Sequence, residues 1–166
     1  LHKEYRRQRQ MCIRDSLCVG GAISIDRIYR INEWNKQKYH VHSNESQEND
    51  IPRNLYWKNE APVYDADKMN TIRADFLIDT VVTHTAPSHC ELFSKSNLNQ
   101  WAENDSSLLK DVQSERKTMD MLLHHLKTDN HPVNHWYYGH FHQSWHSAID
   151  GILYQMLDIM EFSQVY

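Results

Sequence analysis

Trp136-Tyr137-Tyr138-Gly139-His140-Phe141-His142 is the stretch on which the reading of this chain turns. Its aromatic run is strand-like, because aromatic side chains suit a pleated, half-buried surface. Gly139 ends the run with a residue that lets the backbone turn sharply. The turn can bring His140 and His142 round to one side, where two imidazoles could ligate a metal. Upstream, Val81-Val82-Thr83-His84-Thr85-Ala86-Pro87 is a second β-rich run that closes on a histidine and then a breaker. Two strands that each deliver histidine at their C-terminal end are what a metal site at the mouth of an α/β sheet requires.

Outward from these two runs the chain alternates strands and helices. Phe76 to Thr83 is nearly continuous in apolar and β-branched residues apart from Asp79, which predicts a strand covered on both faces. Ser107 to Lys127 predicts a helix: Leu108, Val112, Met119, Leu122, Leu123 and Leu126 recur at helical spacing, with Lys110, Asp111, Arg116, Lys117 and Asp120 facing out. Asp105, Ser106 or Ser107 can cap it, and Pro132 blocks its continuation. Asp65 to Ala74 reads as a short helix with Met69 and Ile72 inward. Leu17-Cys18-Val19 and Ala22 to Asp26 read as two strand pieces around the Gly20-Gly21 break. Asn32 to Glu60 reads as a long polar surface excursion with short helical turns, and Ser94 to Asp105 as irregular. Asn134 to Tyr138, Gln143 to Ile149 and Ile152 to Ile159 read as three closing β segments, with Asp150-Gly151 a hairpin turn. The expectation is an α/β domain, or α+β with a mixed sheet, that closes in a C-terminal β meander.

At 166 residues the chain can hold one domain, and 40% hydrophobic with 11% aromatic residues is a globular composition. A net charge of −4 argues against general nucleic-acid binding through a basic surface. No apolar run is long enough to cross a membrane, and the basic N-terminus lacks the apolar block of a secretory signal. Three scattered cysteines fit a reduced cytoplasmic protein better than a disulfide framework.

Residues 1–16 stand apart. Lys3, Arg6, Arg7, Arg9 and Arg14 make them basic in an acidic chain, and Arg9 to Ser16 resembles translated sequencing-adapter sequence. They read as a non-native extension, with the domain proper over 17–166. A native basic helix is the alternative.

An HxH pair by itself is a weak signal; His84 at the end of a separate buried strand strengthens it. Neutral imidazole suits borderline metals such as Zn, Mn or Fe. Gly139-His140-Phe141-His142 resembles the terminal GHxH motif of the calcineurin-like metallophosphoesterases. Thr83 to Ser88 resembles the single-histidine motif that precedes it in that family. Gly20-Gly21-Ala22-Ile23-Ser24-Ile25-Asp26-Arg27 resembles the GGAxSxD segment of bacterial members, and the order and spacing agree. The resemblance covers roughly 17–166. It implies part of a β-sandwich flanked by helices, and two divalent metal ions (Mn, Fe or Zn). It implies hydrolysis of phosphate esters by a two-metal-activated hydroxide. On that basis His84 and His140 would ligate one metal, His142 the other, and Asp26 and Arg27 would sit near the site mouth.

The family also uses DxH, GDxxD and GNHE or GNHD motifs N-terminal to these segments, and none precedes Gly20 in this sequence. The chain therefore reads as the C-terminal half of such a domain, with no catalytic residue of its own. Three histidines supply neither negative charge nor a bridging ligand, so this polypeptide is expected to bind at most one metal and to be inactive. The alternative is a non-catalytic module that binds a single metal through His84, His140 and His142. A metallo-β-lactamase-like enzyme expects HxHxDH, whereas Gln143-Ser144 follows His142 here. Cys90, near His84 and His89, could complete a zinc site but has no CxxC partner. The remaining histidines, His124 and His125 among them, read as surface or packing residues.

Overall fold

A computed structural model describes residues 15–43, 59–90 and 95–164. In chain order its elements are β1 (Asp15–Val19), α1 (Arg27–Ser43), α2 (Ala66–Asp75), β2 (Ile78–Thr83), α3 (Lys95–Ala102), α4 (Leu108–Thr128), β3 (His135–Tyr138), β4 (Trp145–Ile149) and β5 (Ile152–Met156). The strands form one five-stranded sheet in the order β1-β2-β3-β5-β4. β1, β2, β3 and β5 are parallel, and β4 runs antiparallel to β5. The chain is thus α/β with a mixed sheet.

Register explains the core. Val81, Trp136 and Tyr154 lie side by side across three strands, and Thr83, Tyr138 and Met156 form the next row. Trp136 stacks on Tyr154 with ring centroids 5.9 Å apart. Against this face α4 lays the buried Met119, Leu122, Leu123 and Leu126, and α2 adds Met69. Each such aliphatic side chain contributes roughly 1.5–3 kcal/mol when fully buried. The Trp136 indole N–H donates to the Thr83 hydroxyl at 2.8 Å, so the largest core residue leaves no polar atom unpaired.

The start of α2 and the end of α4 follow the sequence, whereas Ser107 stands at the N-cap of α4 without a side-chain capping hydrogen bond. Asp65 caps α2 with extended backbone, its carboxylate accepting the Lys68 N–H at 3.0 Å. α4 stops at Thr128, Asn130 takes a left-handed φ of 57°, and Pro132 follows. Asp150 and Gly151, with φ of 50° and 80°, form a two-residue turn of the primed kind that matches strand twist.

Several expectations are corrected. Ala22 to Asp26 is no strand, because its backbone hydrogen-bonds to carboxylates instead of a neighbouring strand. The polar stretch after Asn32 is helical to Ser43, since nothing from Arg27 to Ser43 breaks a helix; residues 44–58 lie outside those described. Lys95–Ala102 is helix rather than irregular chain. Arg116 does not face out: it is 9% exposed, and its guanidinium donates to the carbonyls of Pro87 and Cys90 at 2.7 Å each. The closing strands are not a meander. β5, whose Ile152, Tyr154 and Met156 are buried, inserts between β3 and the less buried β4, which takes the edge. β1 begins at Asp15, whose carboxylate accepts the Leu77 N–H at 2.9 Å. Residues 1–14 lie outside those described.

Candidate metal centre

Because β1, β2 and β3 are parallel and Val19, Thr83 and Tyr138 end them in register, their outgoing loops emerge along one edge. That edge, beyond the carboxyl ends of parallel strands, is where open α/β sheets bind ligands. His84 directly follows β2. His140 follows β3 after Gly139, and Ile23 lies on the segment that leaves β1.

These three residues meet. The His140 Nδ1 lies 3.3 Å from the His84 Nε2, with ring centroids 4.9 Å apart in an edge-on arrangement. The His140 Nε2 lies 3.1 Å from the Ile23 carbonyl oxygen. A carbonyl only accepts, so Nε2 carries the proton and donates it there. For a neutral ring this leaves the lone pair on Nδ1, facing His84.

The backbone that presents these rings differs from the expected glycine turn. The left-handed φ values fall on His140 (72°) and His142 (52°), not on Gly139. The Phe141 N–H donates to the Gly139 carbonyl at 2.9 Å, closing a tight three-residue turn over His140. Non-glycine residues held in this region cost of order 1–3 kcal/mol each, and such strain clusters at ligand-binding positions.

Electrostatics favour neutral imidazoles. Burial, reinforced by neighbouring His84, brings the His140 pKa down to about 4 against the pull of the Ile23 carbonyl. Burial and then His142 lower that of His84. At neutral pH no proton competes for the His140 lone pair.

The pair fits a metal ion geometrically. Two nitrogens each about 2.0–2.1 Å from a tetrahedral zinc stand about 3.3–3.4 Å apart. A ring that ligates through one nitrogen and donates from the other to a backbone carbonyl is the usual outer-shell arrangement. The set is incomplete, however. Among the described residues no group of three or more His, Cys, Asp or Glu side chains is placed to hold a metal, and His142 is exposed.

The other candidates are dispersed. Asp26 accepts from the Arg30 guanidinium at 2.8 Å and acts on His140 only through its charge. Arg27 points to the start of α4, where it pairs with Asp105 just ahead of the helix and, at 2.8 Å, with Asp111 on it. It lines a cleft of about 490 Å³ with Ile23, Glu60 and Glu115, and neither His84 nor His140 borders that cleft. Cys90 is buried in the core beside Tyr138 and Arg116, and burial pushes its thiol up to about 12. His125 bonds to the Tyr64 hydroxyl and lies 2.9 Å from the Asp129 carboxylate, while the buried His131 accepts the Ile78 N–H at 3.2 Å. Both are packing residues.

Sequence reasoning missed the groups that hold the β1 loop. The Ile23 N–H donates to the buried Glu115 carboxylate, and Ser24 donates through its N–H (2.7 Å) and its hydroxyl (2.9 Å) to Glu60. Gly21, at φ 100°, lies so close to the Glu60–Pro62 backbone that a Cβ would stand 2.5 Å from the Glu60 carbonyl oxygen. A signal for Glu115 existed: it occupies the inward stripe of α4, between Leu108 and Met119, where an aliphatic residue is expected.

No family model, no curated protein and no solved structure matches the chain.

Proposed function

We propose that this chain carries the C-terminal part of a calcineurin-like metallophosphoesterase domain, which in its intact form hydrolyses phosphate esters with a pair of divalent metal ions. The observation that supports this most is the 3.3 Å approach of the His84 and His140 nitrogens at the carboxyl edge of the parallel strands. His84 and His140 would share one ion and His142 would contribute to the second. When bound, such a pair lowers the pKa of water and neutralises charge on the phosphoryl oxygens. His140 offers its Nδ1 lone pair without first losing a proton, and the Ile23 carbonyl holds the ring by its other nitrogen. Two neutral imidazoles add no charge and no bridging oxygen, so in this reading the bridging carboxylate comes from sequence beyond these residues. The second sheet of the family's sandwich would cover the face on which Cys18 and Val82 are exposed side by side. No helix among the described residues is long and apolar enough to cross a membrane. A cytoplasmic location and a phosphoester substrate belong to the same proposal.

Two measurements test it. Cobalt(II) titrated into the chain should show one weak tetrahedral site by visible absorption, lost in His84→Ala and in His140→Ala. A chromogenic phosphodiester with Mn²⁺ should be untouched by the chain alone. It should be hydrolysed by a longer chain that carries DxH, GDxxD and GNHE segments ahead of β1, with His140→Ala abolishing turnover. Cobalt binding indifferent to both substitutions, or turnover by the present chain that depends on His140, would overturn the reading. Three-histidine binding with no turnover in the longer chain would favour the single-metal module instead.

A further inference from the structure

Glu115 is 4% exposed, sits on α4 far in sequence from either histidine motif, and takes no part in the ligand set described above. Its carboxylate accepts the Ile23 N–H, while the carbonyl of the same residue, Ile23, accepts the His140 Nε2–H at 3.1 Å. One residue of the β1 loop therefore transmits the position of a helix side chain to an imidazole. The loop has few other ways to move. Gly21 is packed against the Glu60–Pro62 backbone, Ser24 is held twice by Glu60, and Ala22 and Ile23 are each 6% exposed.

We infer that Glu115 is a positioning residue for the histidine pair: through Ile23 it fixes His140 as the Nε2–H tautomer, with the Nδ1 lone pair directed at His84. The physical reason is that neutral imidazole has two tautomers of similar energy in water, and the hydrogen bond at one nitrogen selects which nitrogen keeps the lone pair. The Ile23 carbonyl makes that selection only while it stays within hydrogen-bond reach of Nε2, and the bond to Glu115 on the N–H side of Ile23 keeps it there. Without it, the buried Ile23 N–H would lack a partner, and the loop would shift to find one.

The inference builds on the proposed metal site, but its first test needs no metal. Nitrogen-15 shifts of the histidine rings, recorded in the presence of a chelator, should show His140 as a single Nε2–H tautomer in the wild-type chain. Glu115→Ala should give a mixture of tautomers, and so should Glu115→Asp, whose carboxylate is one methylene short. Glu115→Gln retains an acceptor oxygen for the Ile23 N–H and should keep the wild-type tautomer. Should Glu115→Ala fail to fold, Glu115→Asp against Glu115→Gln decides the question. A structural role alone would lower stability in these variants and leave the tautomer unchanged, and an unchanged tautomer in Glu115→Asp overturns the inference. The second readout is cobalt(II) affinity, expected to fall 10–100-fold in Glu115→Asp, the range for loss of outer-shell support, and to hold within about threefold in Glu115→Gln. If the wild-type chain binds no cobalt, the metal reading fails while the tautomer result still stands or falls by itself.

Discussion

The imidazole of His140 gives its Nε2–H to the carbonyl of Ile23 at 3.1 Å, joining a residue that follows β3 to one that follows β1 across the intervening β2. This bond spans the width of the carboxyl edge of the parallel strands, and His84 at the end of β2 completes the group. The stability of the segment that carries Ile23 is therefore the first thing to perturb.

Gly21→Ala should destabilise the chain by about 2–3 kcal/mol. The new Cβ meets the Glu60 carbonyl oxygen at 2.5 Å and the residue must hold φ at 100°, a conformation costing of order 1–3 kcal/mol for a non-glycine residue. Gly20→Ala is the control: nothing lies within 4 Å of its Cβ, and the change should stay within about 0.5 kcal/mol. Urea denaturation of the two variants checks the contrast; equal midpoints would contradict it.

Arg27→Gln should loosen the joint between α1 and α4 and alter the acid limb of the stability profile. The guanidinium bonds to both oxygens of Asp105, to Ser107 at 2.7 Å and to Asp111 at 2.8 Å. It holds the Asp105 and Asp111 carboxyls below the usual carboxylate range. A carboxyl with a lowered folded pKa contributes stability that is complete above its unfolded pKa, about 3.9, and is lost as pH falls through the folded value. Thermal melts between neutral pH and about pH 3 should show a shallower acid loss for Arg27→Gln, and Arg27→Lys should not restore the wild-type slope because an ammonium lacks the planar fork.

Trp136→Phe should cost about 2–4 kcal/mol. The indole is fully buried, so the smaller ring leaves a cavity, and the Thr83 hydroxyl loses the donor it accepts from. Calorimetry measures the loss. A change below about 1 kcal/mol would mean that Trp136 is not the centre of the packed row it forms with Val81 and Tyr154.

Cys90 should resist alkylation where Cys18 does not. Only the thiolate reacts. Burial pushes the Cys90 thiol up to about 12, so at pH 8.5 almost none of it is ionised, while Cys18 is exposed on the edge strand. Iodoacetamide treatment of the folded chain, followed by peptide mass spectrometry, should find the Cys18 peptide modified and the Cys90 peptide intact. Reactivity at Cys90 should rise only with denaturant or strong alkali.

Local pattern was enough for some of this molecule. Period and composition located β2, α2, α4 and the hairpin at Asp150-Gly151, because each depends on neighbours a few residues away: apolar spacing, a capping aspartate, a turn pair able to take positive φ. The same reading selected His84 and His140, since a histidine just past a strand end shows in the sequence itself. What lay beyond it depended on contacts between distant segments. The inward turn of Arg116 depends on carbonyls of Pro87 and Cys90, and the insertion of β5 between β3 and β4 on which strand buries more apolar surface. The loop of Ala22 and Ile23 read as a strand because its residues are apolar, yet its backbone partners are carboxylates from α4 and from Glu60. Sequence by itself determined which residues could be ligands. Tertiary structure alone decided that two of them meet at 3.3 Å and that a buried glutamate stands behind one, because hydrogen bonds between segments this far apart in sequence exist only after the sheet has formed.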